Sequence, residues 1–185
     1  MNPPWVALLR ESLGGEGIDR PWIAALATIG QQHYPHVRHI ICRQIDDEGI
    51  LWIASDARSE KNQQIRSNPS VELAFWLPAA RQQYRIGGDA EIFGSQRDHP
   101  LREMLWRSFT DSTRALFHWP HPGAPRTQGE RAFVGGVKGH SPVSPALELI
   151  CVRPAQVDLL ELGYLPHRRR RWRGDAQWIA EELNP

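Results

Sequence analysis

The chain has 185 residues, 41% of them apolar, and a formal net charge of +1. That length supports one domain of ordinary size with a real core, and the apolar share excludes wholesale disorder. The balanced charge gives no global electrostatic case for nucleic acid, so any basic function must be local.

Residues 5–13 carry apolar side chains at helical spacing (Trp5, Leu8, Leu9, Leu13), and Gly14-Gly15 should stop that helix. WIAALATI, residues 22–29, reads as a buried strand, and residues 30–36 as a turn containing Pro35. VRHIICRQI (37–45), the turn DDEG and ILWIAS (50–55) form a predicted hairpin. A short polar helix follows and ends near Pro69. Two further strands lie at 71–77 and 81–93, with Gly87-Gly88 marking a bulge or bend.

Beyond them a helix is expected over 100–112, with Asp98 as N-cap and Leu101, Leu105, Ser108 and Phe109 facing inward. Residues 116–145 are rich in Pro, Gly and His and read as a long loop with a short helix near 130–133, a length that often signals function. Residues 147–162 supply one or two strands, and HRRRRW with AQWIAEEL a closing hairpin around Gly174-Asp175. No linker, repeat or low-complexity tract breaks the chain, so one domain is expected over 1–185. The fold class is mainly β (α+β), a small barrel of about six antiparallel strands with peripheral helices.

Cys42 and Cys151 sit in apolar strands and read as buried free thiols. The N-terminal residues lack the pattern of a signal peptide, and the longest apolar run is far too short to span a bilayer, so a soluble, cytoplasmic protein is expected.

The segment ASDARSEKNQQIRSNPSVELAFW poses the functional question, because its helix has little apolar face but opens on Arg58, Ser59 and Lys61. A helix start exposes unpaired N–H groups and partial positive charge, and these side chains would suit a phosphate. Arg38 and Arg43 lie one hairpin away, and their odd separation puts them on opposite faces of a regular strand. Taken singly, each of these cations reads first as a solvated surface residue on a helix end or hairpin; the cluster is what points to a site.

Together with their neighbours they resemble the pyridoxamine 5′-phosphate oxidase-related flavoproteins, which have an FMN-binding split β-barrel. VRHIICR stands where that family has R-M-V-L-L-K, and RSEK resembles its S-R-K phosphate loop. NPSVELAFW matches N-P-x-x-x-L-x-F-x-W, RQQYRIGGDAE resembles R-Q-V-x-x-x-G-x-A-E, and HRRRRW falls at H-R-L-H-D-R. The resemblance runs from about Trp22 to Phe93 and resumes near the C-terminus. Departures are equally plain. A common Tyr-Thr pair is Ile53-Ala54, the second S-R-K position is Glu60, the N-terminal arm is short, and LFHWPHPGAPRT replaces the oxidases' G-A-W-x-S-x-Q-S loop.

The resemblance implies that Arg38 contacts FMN, with backbone of His39, Ile40 and Ile41 along the flavin. Ser59 and Lys61, with Arg58 in place of the missing cation, would hold its phosphate. Gln83 would reach the cofactor, with a dimer interface as its route, and Arg170 would sit near the flavin. Arg43 and Arg168 would bind substrate, the first candidate being a phosphorylated pyridoxine vitamer. A homodimer with FMN between subunits is implied, as is FMN-dependent oxidoreduction. Should it be a true oxidase, it would turn pyridoxamine or pyridoxine 5′-phosphate into pyridoxal 5′-phosphate with oxygen. A flavin reductase or FMN carrier of the same fold is the alternative. No general base is visible.

The run Arg168–Arg171 admits a third reading, nucleic-acid binding, against which the charge balance argues. Alternation in a strand puts Arg168, Arg170 and Trp172 on one face and Arg169 and Arg171 on the other. His33, His36 and His39, and His118 with His121, lack the Cys or carboxylate spacing of a metal site, so no metal is expected. Trp106 suits a core position, and Trp119 could stack on a flavin or fill core.

Overall fold

The computed structural model describes residues 2–14, 22–133 and 135–185. Gly15, half of the expected helix stop, lies outside them. Helix α1 (Pro4–Ser12) starts with proline in its first turn, where a missing N–H costs nothing, and buries Trp5, Val6 and Leu9. Strands β1 (Trp22–Ile29), β2 (Pro35–Ile45) and β3 (Leu51–Asp56) form a meander, followed by α2 (Glu60–Ser67). Strands β4 (Ser70–Leu77) and β5 (Gln82–Phe93), helices α3 (Pro100–Ser108) and α4 (Asp111–Ala115), then β6 (Leu147–Glu161), β7 (Arg168–Arg173) and β8 (Glu181–Leu183) complete the chain.

The sheet order is β3-β2-β1-β4-β5-β6-β7-β8, and an added β3–β6 pairing closes the first six into an antiparallel barrel. The expected mainly β barrel with peripheral helices is therefore the observed architecture. The split lies in β6. Along one side it pairs with β5 over its length; along the other, residues 147–152 pair with β3 and residues 156–161 with β7. The register of β5 on β6 shifts between Gly87 and Gly88, at the bulge that the glycine pair predicts.

Alternation fills the barrel. Ala24 and Leu26 of β1 and Ile40 and Cys42 of β2 point inward with Leu73, Phe75, Tyr84, Ile86 and Trp172. A second core lies outside the barrel, where Trp52, Phe93, Leu149 and Cys151 meet Leu101, Leu105, Trp106 and Phe109. Trp106 is thus core. Both thiols are buried and free; burial pushes Cys42 up to about 12 and Cys151 to about 11.

The helix expected over 100–112 is two helices. Phe109 turns into extended backbone, and the Thr110 hydroxyl caps α4 by accepting from the Thr113 N–H at 3.1 Å. His99, not Asp98, caps α3 by accepting from Leu101 N at 3.2 Å, while Asp98 pairs with Arg102. Ser108 is exposed; Arg102 and Trp106 take the buried positions, donating to the carbonyls of Leu147, Ser144 and Ser141. The bonds to Ser144 and Ser141 satisfy backbone of the long loop, whose described residues form short 3-10 turns, one of them at Glu130–Ala132. No helix among the described residues is long and apolar enough to cross a membrane.

Candidate functional site

Helix α2 docks through polar side chains, which explains its weak apolar face. Only Ile65 joins the core. Asn62, fully buried, accepts from Ser55 Oγ at 2.6 Å and donates to Glu148 Oε2 at 2.7 Å, and Arg66 donates to the same carboxylate. Gln64 faces the barrel end, where its Oε1 accepts from Thr28 Oγ1 at 2.5 Å and from Arg38 Nη2 at 3.0 Å. Sequence reading missed Thr28, Asn62 and Gln64. The only available signal was their polarity at positions that alternation or helical spacing turns inward.

The docking brings Arg38, Ser59 and Lys61 to one corner. Ser59 is the N-cap position of α2, and Lys61 Nζ donates to its Oγ at 3.0 Å. Burial, then the charge of Arg38, hold the Lys61 ammonium below the ordinary lysine range, against a pull upward from Asp56. Burial also lowers Arg38, and Glu60 partly offsets it. Arg38 donates to Thr28, Gln64 and the carbonyls of Leu26 and His36; among the described residues no carboxylate bonds it. Two positive charges therefore share a partly desolvated corner, influenced at a distance by Asp56 and Glu60 but with no carboxylate hydrogen-bonded to either among the described residues.

Arg58 reaches the same helix start but is already matched. Its Nε and Nη2 donate to Asp56 at 2.9 and 2.6 Å, which raises its pKa, and its Nη1 donates to Trp119 O at 2.7 Å. Trp119 packs edge-on against Phe133 within the long loop. A cleft of about 510 Å³ lies between Arg58, Ser59, Glu60 and Gln63 and the loop residues His121, Pro122, Gly123 and Ala124.

The backbone of β2 is the second feature of this corner. Strand β3 pairs with β2 only from Cys42 to Ile45. Residues 35–41 pair with β1 on one side, and among the described residues no strand takes the other. The expected flavin-lining stretch, His39, Ile40 and Ile41, is part of this bare edge. Ile40 points into the core, whereas His39 and Ile41 point outward.

The remaining candidates lie elsewhere. Arg43 sits at a register shift of β2 and β3, on the face opposite Arg38, with its guanidinium 4.9 Å from the Phe109 ring centroid. Its Nε is buried without a partner, and burial lowers its pKa. Gln83 points outward beside Trp76, its β4 partner, in a small cleft with Arg85, Asp158, Leu160 and Arg169. Arg170 donates to Glu161 at 2.9 Å and lies over Trp172, and Arg168 stacks on Tyr164 at 3.9 Å. Arg169 and Arg171 both donate to Asp158. The predicted alternation of this run holds, and ion pairing removes much of the free charge that nucleic-acid binding would use. Among the described residues no hydrogen bond or ion pair joins Arg43, Gln83, Arg168 or Arg170 to the Arg38 corner.

Comparison with known proteins gives this geometry a context. A family model described as the pyridoxamine 5′-phosphate oxidase, FMN-binding domain, matches residues 2–94. The pyridoxine/pyridoxamine 5′-phosphate oxidase 2 of Arabidopsis thaliana is 24% identical, covering 98% of this chain and 97% of its own. The pyridoxine/pyridoxamine 5′-phosphate oxidase of Rhodococcus jostii is 25% identical, covering 98% and 85%. A solved pyridoxamine 5′-phosphate oxidase-related, FMN-binding protein of Nostoc punctiforme has a TM-score of 0.86 at 29% identity, covering 98% of both chains. PhzG from Burkholderia lata shares the fold, with a TM-score of 0.81 at 20% identity over 99% of this chain and 93% of its own.

Proposed function

Because the chain belongs to the pyridoxamine 5′-phosphate oxidase FMN-binding family, we propose that the corner of Arg38, Ser59 and Lys61 holds the FMN phosphate. The family makes this an FMN-binding oxidoreductase resembling pyridoxine/pyridoxamine 5′-phosphate oxidase. The observation that carries the residue assignment is Arg38. It is held by neutral oxygens alone and stands beside a desolvated Lys61, so both cations keep charge for an anionic ligand.

The residues fit the cofactor on two counts. A phosphomonoester dianion requires charge-assisted donors, which Arg38, Lys61 and the Ser59 helix start supply. A flavin ring edge requires donors and acceptors on a rigid frame, and along His39–Ile41 alternate residues of β2 turn their backbone N–H and C=O groups to the side that no strand takes among the described residues. Arg58 contributes less net attraction, since Asp56 balances it; its part is to fix the long loop to the helix start. When bound, FMN supplies a two-electron acceptor for hydride from a substrate and a route for those electrons to oxygen.

The outer face of the barrel supports a homodimer. Ile23 (67% exposed), Val37 (67%), Ile41 (40%) and Trp76 (53%) lie on outward rows of β1, β2 and β4 next to Gln83. In a two-fold assembly, Gln83 and Arg170 of each subunit would meet the cofactor of the other, in keeping with their having other partners than the Arg38 corner within one chain.

A phosphorylated pyridoxine vitamer is the first substrate candidate, with Arg43 and Arg168 on its phosphate. A reductase or FMN-carrier reading has its own support, because Arg43 is seated on Phe109 and LFHWPHPGAPRT replaces the oxidase loop. FMN-loaded protein given pyridoxamine 5′-phosphate under air separates the two. Pyridoxal 5′-phosphate with stoichiometric peroxide supports oxidase chemistry. Absence of both, with NAD(P)H oxidised instead, supports the second reading.

A further inference from the structure

We propose that Thr28 and Gln64 are positioning residues that aim the Arg38 guanidinium at a phosphomonoester while leaving its charge intact. The inference rests on the reading of Arg38 as a phosphate ligand and extends it to two residues outside that assignment.

Thr28 is fully buried on the inward row of β1, and Gln64 is nearly so on α2. The threonine hydroxyl donates to Gln64 Oε1 at 2.5 Å, so its lone pairs face Arg38 Nη1, also at 2.5 Å. Gln64 Oε1 takes a second bond, from Nη2, at 3.0 Å. The Leu26 and His36 carbonyls lie 3.3 and 3.1 Å from Nη1. These contacts occupy Nη1 and one hydrogen of Nη2, leaving Nε–H and the other Nη2–H. Those two point the same way on a planar guanidinium and form the fork that grips an oxyanion with two parallel bonds.

The chemistry of the two holders matters as much as their placement. Five other arginines of this chain are set by carboxylates: Arg58 by Asp56, the exposed Arg66 by Glu148, Arg169 and Arg171 by Asp158, and Arg170 by Glu161, whereas half-buried Arg43 is seated on Phe109 instead. A carboxylate at position 64 would fix the guanidinium equally well and cancel its attraction for phosphate. An amide and a hydroxyl fix it without that cancellation. The hydroxyl–amide bond also makes the holder one unit, so removing either member frees the other to turn away.

The test compares dissociation constants for FMN and riboflavin, by quenching of flavin fluorescence, in the full-length protein. Gln64→Glu keeps the shape and adds the charge. We expect FMN affinity to fall at least tenfold, riboflavin affinity to change less than twofold, and the melting temperature of the apoprotein to hold or rise. Thr28→Val should lower FMN affinity several-fold, and Thr28→Ser should restore it. Equal changes for both flavins in Gln64→Glu, or none for FMN, would overturn the inference. Arg38→Ala is the control on the underlying reading. Should it leave the FMN-to-riboflavin ratio intact, the phosphate assignment itself fails. Should it collapse the ratio while Gln64→Glu and Thr28→Val do not, the positioning role alone fails.

Discussion

Lys61 and Arg38 oppose each other as like charges, a second cause added to the larger one of burial, so the Lys61 ammonium loses its proton more easily than an exposed lysine does. A phosphate placed between the two cations would reverse this, restoring Lys61 toward its ordinary value of about 10.4. Binding of FMN should then take up a proton as pH rises through the depressed Lys61 value. FMN affinity should be highest below that value and decline above it. Riboflavin, lacking the phosphate, should not follow. The ratio of the two affinities, measured across the alkaline range, isolates Lys61 from titration of the ring that both ligands share. Lys61→Arg should flatten the profile; an unchanged slope would place the titrating group elsewhere.

Gly88 and Gly87 form a paired test of the β5 bulge. A Cβ on Gly88 would stand 2.1 Å from the Arg153 carbonyl oxygen and 2.9 Å from its carbon, both backbone atoms of β6. A Cβ on Gly87 meets nothing within 4 Å. Gly88→Ala should cost roughly 3 kcal/mol of stability through forced separation of the two strands. Gly87→Ala should stay within about 0.5 kcal/mol, as surface changes do. Urea melts of the two variants check this, and equal losses would mean that the strands can yield at the bulge.

The bulge is also a place where the sequence is informative. Two adjacent glycines in an otherwise strand-like run have few other uses, and the strands on either side are equally readable from their alternation. The packing of α2 is not readable in that way. Hydrophobic periodicity reports only apolar burial, and this helix is seated by Asn62, Gln64 and a shared carboxylate at Glu148. The break after Ser108 escapes for a related reason. Leu101, Leu105 and Phe109 keep helical spacing although Phe109 has already left the helix, and the stop is written in the cap at Thr110. Of the site, the cations were legible individually. Which of them keep their charge was not, because that depends on long-range partners such as Asp158 and Glu161.

Asp158 should be a point of acid sensitivity. Its side chain is 4% exposed, accepts from Arg169 and Arg171, and lies 3.7 Å from Arg85. Burial alone would raise its pKa, but the arginine hydrogen bonds and charges outweigh it and the net shift is downward. A carboxyl depressed on folding stabilises the native state above the unfolded value, about 3.9, and loses that contribution as pH falls through the folded value. Asp158→Asn should cost roughly 1–2 kcal/mol at neutral pH, because the arginines it leaves behind are partly solvated. It should also remove part of the acid transition, as followed by circular dichroism.

The outward rows carrying Val37 and Trp76 should respond to charge. If they form the subunit contact, Val37→Asp with Trp76→Glu should give monomers by light scattering and weaken FMN uptake at least tenfold. The expected monomer fold would be unchanged, since both side chains point away from the core. Dimers that persist in the double variant would move the contact to another face.

The one-sided pairing of β2 over residues 35–41 among the described residues has a consequence for handling. Among the described residues no strand takes the outer side of β2 between Val37 and Ile41, and the backbone groups turned that way can template the addition of a foreign strand. Only His36, Arg38 and His39 interrupt its apolar character. Protein stripped of flavin should therefore clump more readily than loaded protein of the same melting temperature, and newly made chains would gain colloidal protection from their ligand before they gain any turnover from it.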